Sequence, residues 1–143
     1  MFRNLEINYF KCFERLMVDW KKLNIISGEN STGKSTMIQA ILLLAQAQEY
    51  ALGNVLNGKY EQLGQVTDIR NIYKRGKISI RAEWDNDKKS SMLEYDDVNE
   101  TWRIDIAGKM DIIYLSAERI GVQNEYHINT QELYRIGVRG EYA

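Results

Sequence analysis

Residues 28–35, Gly28-Glu29-Asn30-Ser31-Thr32-Gly33-Lys34-Ser35, satisfy the pattern G-x-x-x-x-G-K-[ST], and nothing else in the chain constrains its fold as strongly. Glycines, hydroxyl side chains and a lysine are poor core material. They suit a backbone that wraps closely around a small anion. Gly28 and Gly33 permit backbone angles that other residues avoid, so successive N–H groups turn inward toward phosphate oxygens. A helix starting near Ser35 adds its positive dipole end and unpaired N–H groups. In such a loop Lys34 reaches the β- and γ-phosphates, the Ser35 hydroxyl sits on Mg²⁺, and Thr36 meets the α-phosphate. The expected ligand is a nucleoside triphosphate with Mg²⁺. It would be cradled by Gly28, Glu29, Asn30, Ser31, Thr32, Gly33, Lys34, Ser35 and Thr36, with Lys34 stabilising charge.

The motif's mechanism requires a strand before the loop and a helix after it, and the flanking patterns supply both. Leu5, Ile7 and Tyr9 alternate with polar residues, as do Leu16, Val18 and Trp20. LNIIS, residues 23–27, reads as a short buried strand entering the loop. From Ser35 to about Ala51, Met37, Ile38, Ile41, Leu42, Leu44 and Ala45 recur at helical spacing, with Leu43 filling part of the other side. Residues 53–71 read as a loop with short elements. A meander follows: Ile78, Ile80, Ala82 and Trp84 on one face, then residues 92–95, then Trp102, Ile104 and Ile106. DIIYLS, residues 111–116, is nearly all apolar, as expected of a central strand covered on both faces. The tail from Ala117 shows no clear periodicity.

A chain of 143 residues suits one domain, and 44% hydrophobic with 27% charged residues is ordinary for a soluble protein. The net charge of -1 gives no general field for nucleic acid, so contact with DNA would have to be local. The basic group Arg70, Lys74, Arg75 and Lys77 is expected to be solvated, because Asp68 and acidic turns lie nearby. Cys12 is the only cysteine, which excludes an internal disulfide; its strand-like setting predicts a small buried side chain. The N-terminus has no signal-peptide pattern and the longest apolar run is too short for a bilayer, so a cytoplasmic protein without membrane contact is expected. Trp20, Trp84 and Trp102 sit in phase with strand faces and are expected to pack rather than stack on bases.

The order LEINYFKCF…LNIISGENSTGKSTMIQAILLL resembles the start of ABC-type ATPase heads of the SMC/RecF-like group, with Phe10-Lys11-Cys12-Phe13 matching their phenylalanine–basic–x–phenylalanine turn. Farther on, IIYLSAERIG and IGVRGEYA resemble prokaryotic AAA-type ATPases related to overcoming-lysogenization-defect proteins, many of which serve anti-phage or DNA-associated systems. The resemblance runs the length of the chain and is most specific in its first fifty residues. It implies an α/β fold: the N-terminal lobe of a P-loop NTPase, ABC-ATPase-like, with central strands, one buried helix and an antiparallel β-meander, forming a partial domain. Residues 1–52 would hold strand, strand, Walker A loop and helix; 77–116 the meander and a central strand; 117–143 a Q-loop-like region and tail. It also implies that Lys11 approaches the nucleotide, and that a Q-loop residue lies between Ser116 and Gln123. No glutamine directly follows the strand, so Glu118, Arg119 and Gln123 all remain candidates, with Gln123 a second metal ligand beside Ser35.

An ABC-type head also needs a serine–glycine-rich signature, an apolar strand ending in Asp-Glu and a switch histidine. None is present in the sequence; DIIYLSAE reaches Glu118 without the aspartate, and His127 is expected to be exposed. The chain is therefore expected to bind ATP and Mg²⁺, with hydrolysis negligible unless a C-terminal lobe is supplied. The resemblance implies partners: that lobe, or a second ATPase subunit in a head-to-tail dimer, with an effector nuclease and DNA as further candidates. Three other readings stay open. In a GTPase, Asp105-Ile106-Ala107-Gly108 would be D-x-x-G and Ser116-Ala117 a guanine-side element, but an N-K-x-D segment is absent. A nucleoside or shikimate-type kinase would start at its phosphate loop. A non-catalytic interaction module would keep the loop as a relic.

Overall fold

The computed structural model describes residues 2–49, 55–84, 89–108 and 110–116. The chain divides into two units, 1–110 and 111–143. The first holds β1 (Phe2–Phe10), β2 (Phe13–Asp19), α1 (Lys34–Gln46), α2 (Val66–Ile69), β3 (Ser79–Trp84), β4 (Ser90–Asp96) and β5 (Thr101–Asp105). The five strands form one sheet in the order β2-β1-β3-β4-β5, and every neighbouring pair is antiparallel. This is the mixed α/β architecture expected, with an antiparallel sheet and one principal helix.

Alternation decides which face is covered. Leu5, Ile7, Ile80, Ala82, Leu93 and Tyr95 point inward and are buried. Across β1 and β3 they lie in register, Leu5 opposite Ala82 and Ile7 opposite Ile80. Met37, Ala40, Leu43 and Leu44 of α1 join them in one core, closed by Val55, Leu56, Leu63, Ile69 and Ile78. The opposite face presents Asn4, Glu6, Arg81, Glu83 and Glu94, as a half-solvated antiparallel sheet does.

One deviation in β1 shapes the site. The simple alternation predicts Leu5, Ile7 and Tyr9 on the core face, yet Phe10 is the residue with no exposed surface. Tyr9 adopts a left-handed backbone, φ 52°, which shifts the side-chain phase by one residue. Lys11 is left-handed too, φ 49°, and the chain reverses through Lys11 and Cys12 to bring Phe13 opposite Phe10. Cys12 lies on this turn and is exposed, not buried within a strand.

Two element expectations differ from the structure. Residues 23–27 form no strand, and Leu23 and Ile25 are 79% and 84% exposed. The chain leaves the β2 edge where the Trp20 N–H bonds Arg3 O at 2.5 Å, and a turn follows in which Asn24 Nδ2 donates to Lys21 O. Beyond that turn no described strand offers a ladder, and backbone that pairs with nothing is not a strand. Residues 111–116, in the second unit, likewise form no strand. Ile113 and Leu115 are exposed there while Ile112 and Tyr114 are half-buried, so neither apolar segment is covered on two faces. Helix α1 also stops earlier than about Ala51, at Gln46, with a turn through 47–49.

Candidate functional site

The phosphate-loop residues lie together between the extended segment and α1. Gly28 (φ 149°), Ser31 (φ 64°) and Gly33 (φ 92°) hold the positive backbone angles the loop needs. Thr32 Oγ1 donates to Glu29 O at 2.8 Å, closing the loop on itself. Gly33 is the residue before α1, and its carbonyl accepts from Met37 N–H at 3.0 Å. No side chain caps the helix and no acidic residue sits in its first turn. Its leading N–H groups are therefore open to an anion, the condition for phosphate binding at a helix end.

Lys34 folds back over the loop. Its Nζ donates to Gly28 O at 2.8 Å and also to Glu29 O. These carbonyls hold the ammonium at the loop, where a triphosphate tail would compete for it. Ser35 is exposed and Thr36 half-buried at the helix start. One exposed hydroxyl beside open backbone donors fits a metal held partly by phosphate oxygens and water, the usual manner of Mg²⁺.

The Phe10–Phe13 turn abuts this loop. A methyl group added at Gly33 would lie 2.6 Å from Phe13 Cζ and 2.8 Å from Cys12 Sγ. Lys11 bonds the helix instead of the loop: its Nζ donates to Gln39 Oε1 at 2.7 Å. Gln39 Nε2 in turn reaches Glu61 Oε2 at 3.4 Å. Partial burial raises the Glu61 pKa above 4.5, opposed by the Gln39 hydrogen bond and the Lys11 charge. Gln39, Glu61 and the buried Asn71 escape sequence reasoning, because no motif marks them. The one available signal was a polar residue inside an otherwise apolar helix.

The structure thus gathers Gly28 through Thr36 and sets Lys11 one turn along the helix. Gln123, Glu118, Arg119 and His127 lie outside the described residues, as does Ala117. Arg70 is paired with Asp97, and Lys74 with Glu14 at 2.7 Å, so the basic group before the meander is partly spent in local ion pairs. Among the described residues no group of His, Cys, Asp and Glu is arranged to hold a metal, and no helix is long and apolar enough to cross a membrane.

A glycine-bearing loop at an open helix end, with an antiparallel sheet beside it, fits an ATPase domain of mixed α/β fold. The family model for the AAA ATPase domain matches residues 1–136, and the chain belongs to that family. It is 24% identical over 121 residues to the DNA replication and repair protein RecF of Bacillus cereus (strain G9842), covering 82% of this chain. It spans only 32% of that relative's length. Among solved structures it resembles a chain from work on ATP-driven dimerization and DNA stimulated activation of SMC ATPases. The TM-score is 0.53 at 15% identity, covering 76% of this chain and 70% of the other.

Proposed function

We propose that the chain binds ATP with Mg²⁺ through Gly28–Thr36, as the N-terminal part of an ATPase head that nucleotide binding switches between separate and paired states. The observation that carries this is the uncapped start of α1, ringed by positive-φ residues and by a lysine that donates to the loop carbonyls of Gly28 and Glu29. Lys34 would exchange those carbonyls for β- and γ-phosphate oxygens. Ser35 would hold the metal, whose chemistry is to neutralise phosphate charge. Phosphoryl transfer depends on positioning and charge, and among the described residues no cluster of carboxylates is arranged to hold Mg²⁺ and orient water. Binding without turnover is the expected behaviour of these residues alone, a C-terminal lobe or second subunit completing the site.

The dimerisation and DNA stimulation named for the SMC ATPases are extended to this chain on likeness of fold. Isothermal titration with ATP and Mg²⁺ tests the core of the proposal. Saturable binding that Lys34→Ala reduces by at least about 100-fold supports it. Equal binding by Lys34→Ala leaves the loop a relic, and preference for GTP over ATP moves the chain to the guanine-nucleotide switches.

A further inference from the structure

Behind the Phe10–Phe13 turn stands a side chain that no phosphate-loop pattern includes. Asn71 is buried and uses nearly all of its hydrogen-bonding capacity. Its Nδ2 donates to Lys11 O at 2.9 Å. Its Oδ1 accepts from the N–H groups of Tyr73 and Lys74, both at 2.9 Å. Its own N–H donates to Tyr9 O at 3.1 Å, and Lys11 N–H donates to Ile69 O at 2.8 Å. The two backbone units gripped by Asn71 belong to Tyr9 and Lys11, which are also the two left-handed residues of the turn. A non-glycine residue in that conformation is costly and persists only where its surroundings impose it.

The far side of the turn carries the load to the nucleotide loop. Phe13 and Cys12 pack on Gly33, and Lys11 ties the same turn to Gln39 in α1. We propose that Asn71 is a positioning residue for nucleotide binding: by fixing the left-handed turn at Tyr9–Lys11 it sets the wall that holds Gly33 and the start of α1 in the phosphate-accepting shape. It touches no ligand itself. The inference rests on the phosphate-loop reading above and adds a residue some forty positions away in sequence.

Asn71→Asp separates its two halves. The retained oxygen still serves Tyr73 and Lys74, while the donor to Lys11 O becomes an acceptor facing a carbonyl. Cys12, the sole cysteine and exposed on the turn, reports the geometry without any ligand through its rate of labelling by N-ethylmaleimide. With the sheet intact by circular dichroism, Asn71→Asp is expected to change the Cys12 labelling rate several-fold and to weaken ATP·Mg²⁺ binding by about tenfold. Should the variant fail to fold, the unmodified chain serves: the Cys12 adduct is expected to weaken ATP·Mg²⁺ binding, and ATP·Mg²⁺ to slow labelling. Unchanged affinity and labelling in a folded Asn71→Asp, or an adduct that binds ATP normally, overturns the proposal. If the unmodified chain binds no ATP, the phosphate-loop reading fails first. A shifted Cys12 rate in Asn71→Asp would then still show that Asn71 holds the turn.

Discussion

Gln46 is the last residue of α1 and has no exposed surface, though the apolar pattern around it marks a core-facing helix. Its amide is fully employed: Nε2 donates to Val55 O at 2.8 Å and to Glu61 O at 3.3 Å, while Oε1 accepts from Tyr60 N–H at 2.9 Å and Glu61 N–H at 3.1 Å. It replaces a strand ladder for a loop that would otherwise bury unpaired backbone. Gln46→Leu keeps the volume but orphans those groups, and about 3 kcal/mol of stability should go with them, read from the urea midpoint. Glu61 beside it responds to pH. Its carboxyl is raised above 4.5 by burial, so the folded state binds its proton more tightly than the unfolded chain does. The favourable contribution is present below about pH 4.5 and fades as pH rises through the folded pKa. Glu61→Gln should therefore melt higher than the parent at pH 7, with the gap narrowing toward pH 4. An equal gap at both pH values would contradict this.

At the scale of elements, the β1–β2 turn and the phosphate loop act as a pair. Gly33→Ala meets two obstacles there, a backbone at φ 92° and the Phe13 ring where its methyl would lie. A loss of about 2 kcal/mol is expected, with ATP binding weakened more than tenfold because the loop must deform to keep the methyl. The alternation of Ile78, Ile80 and Ala82 was enough to place β3, since one buried face leaves a period-two signal. The left-handed step at Tyr9 was not legible, because nothing in LEINYFKCF distinguishes a regular strand from one whose phase slips by a residue. Segments 23–27 and 111–116 failed for another reason: apolar composition records what a segment is suited to bury, whereas a strand exists only where a neighbour pairs with it. Hydrogen exchange distinguishes the two cases. Amides of β1 and β3, paired on both sides, should be the slow ones, and those of Leu23, Ile25 and Ile26 should exchange orders of magnitude faster. Protection at 23–27 equal to that of β1 would reinstate the strand.

For the molecule as a whole, the motif marked residues 28–36 as one loop and helix start, while the core around it depended on contacts between distant residues. Leu5, Ile7, Ile80, Ala82 and Leu93 meet only because β1 inserts between β2 and β3, an order that no local pattern announces. That core lies wholly within residues 1–110, as do Gly28–Thr36, Lys11 and Asn71. Its closing residues, Trp102, Ile104, Ile106 and Met110, come last, and Met110 N–H is anchored on Gln48 Oε1 at 2.8 Å. A unit of this size buries enough apolar surface to fold alone. Truncation after Met110 should thus leave a chain that unfolds in one cooperative urea transition with a stability of order 5 kcal/mol, and that binds ATP·Mg²⁺ with the parent's affinity. Truncation after Asp105 removes Ile106 and Met110 from the core and should broaden or abolish that transition. If the 1–110 chain showed no cooperative unfolding, the claim that its own core suffices to fold it would fail.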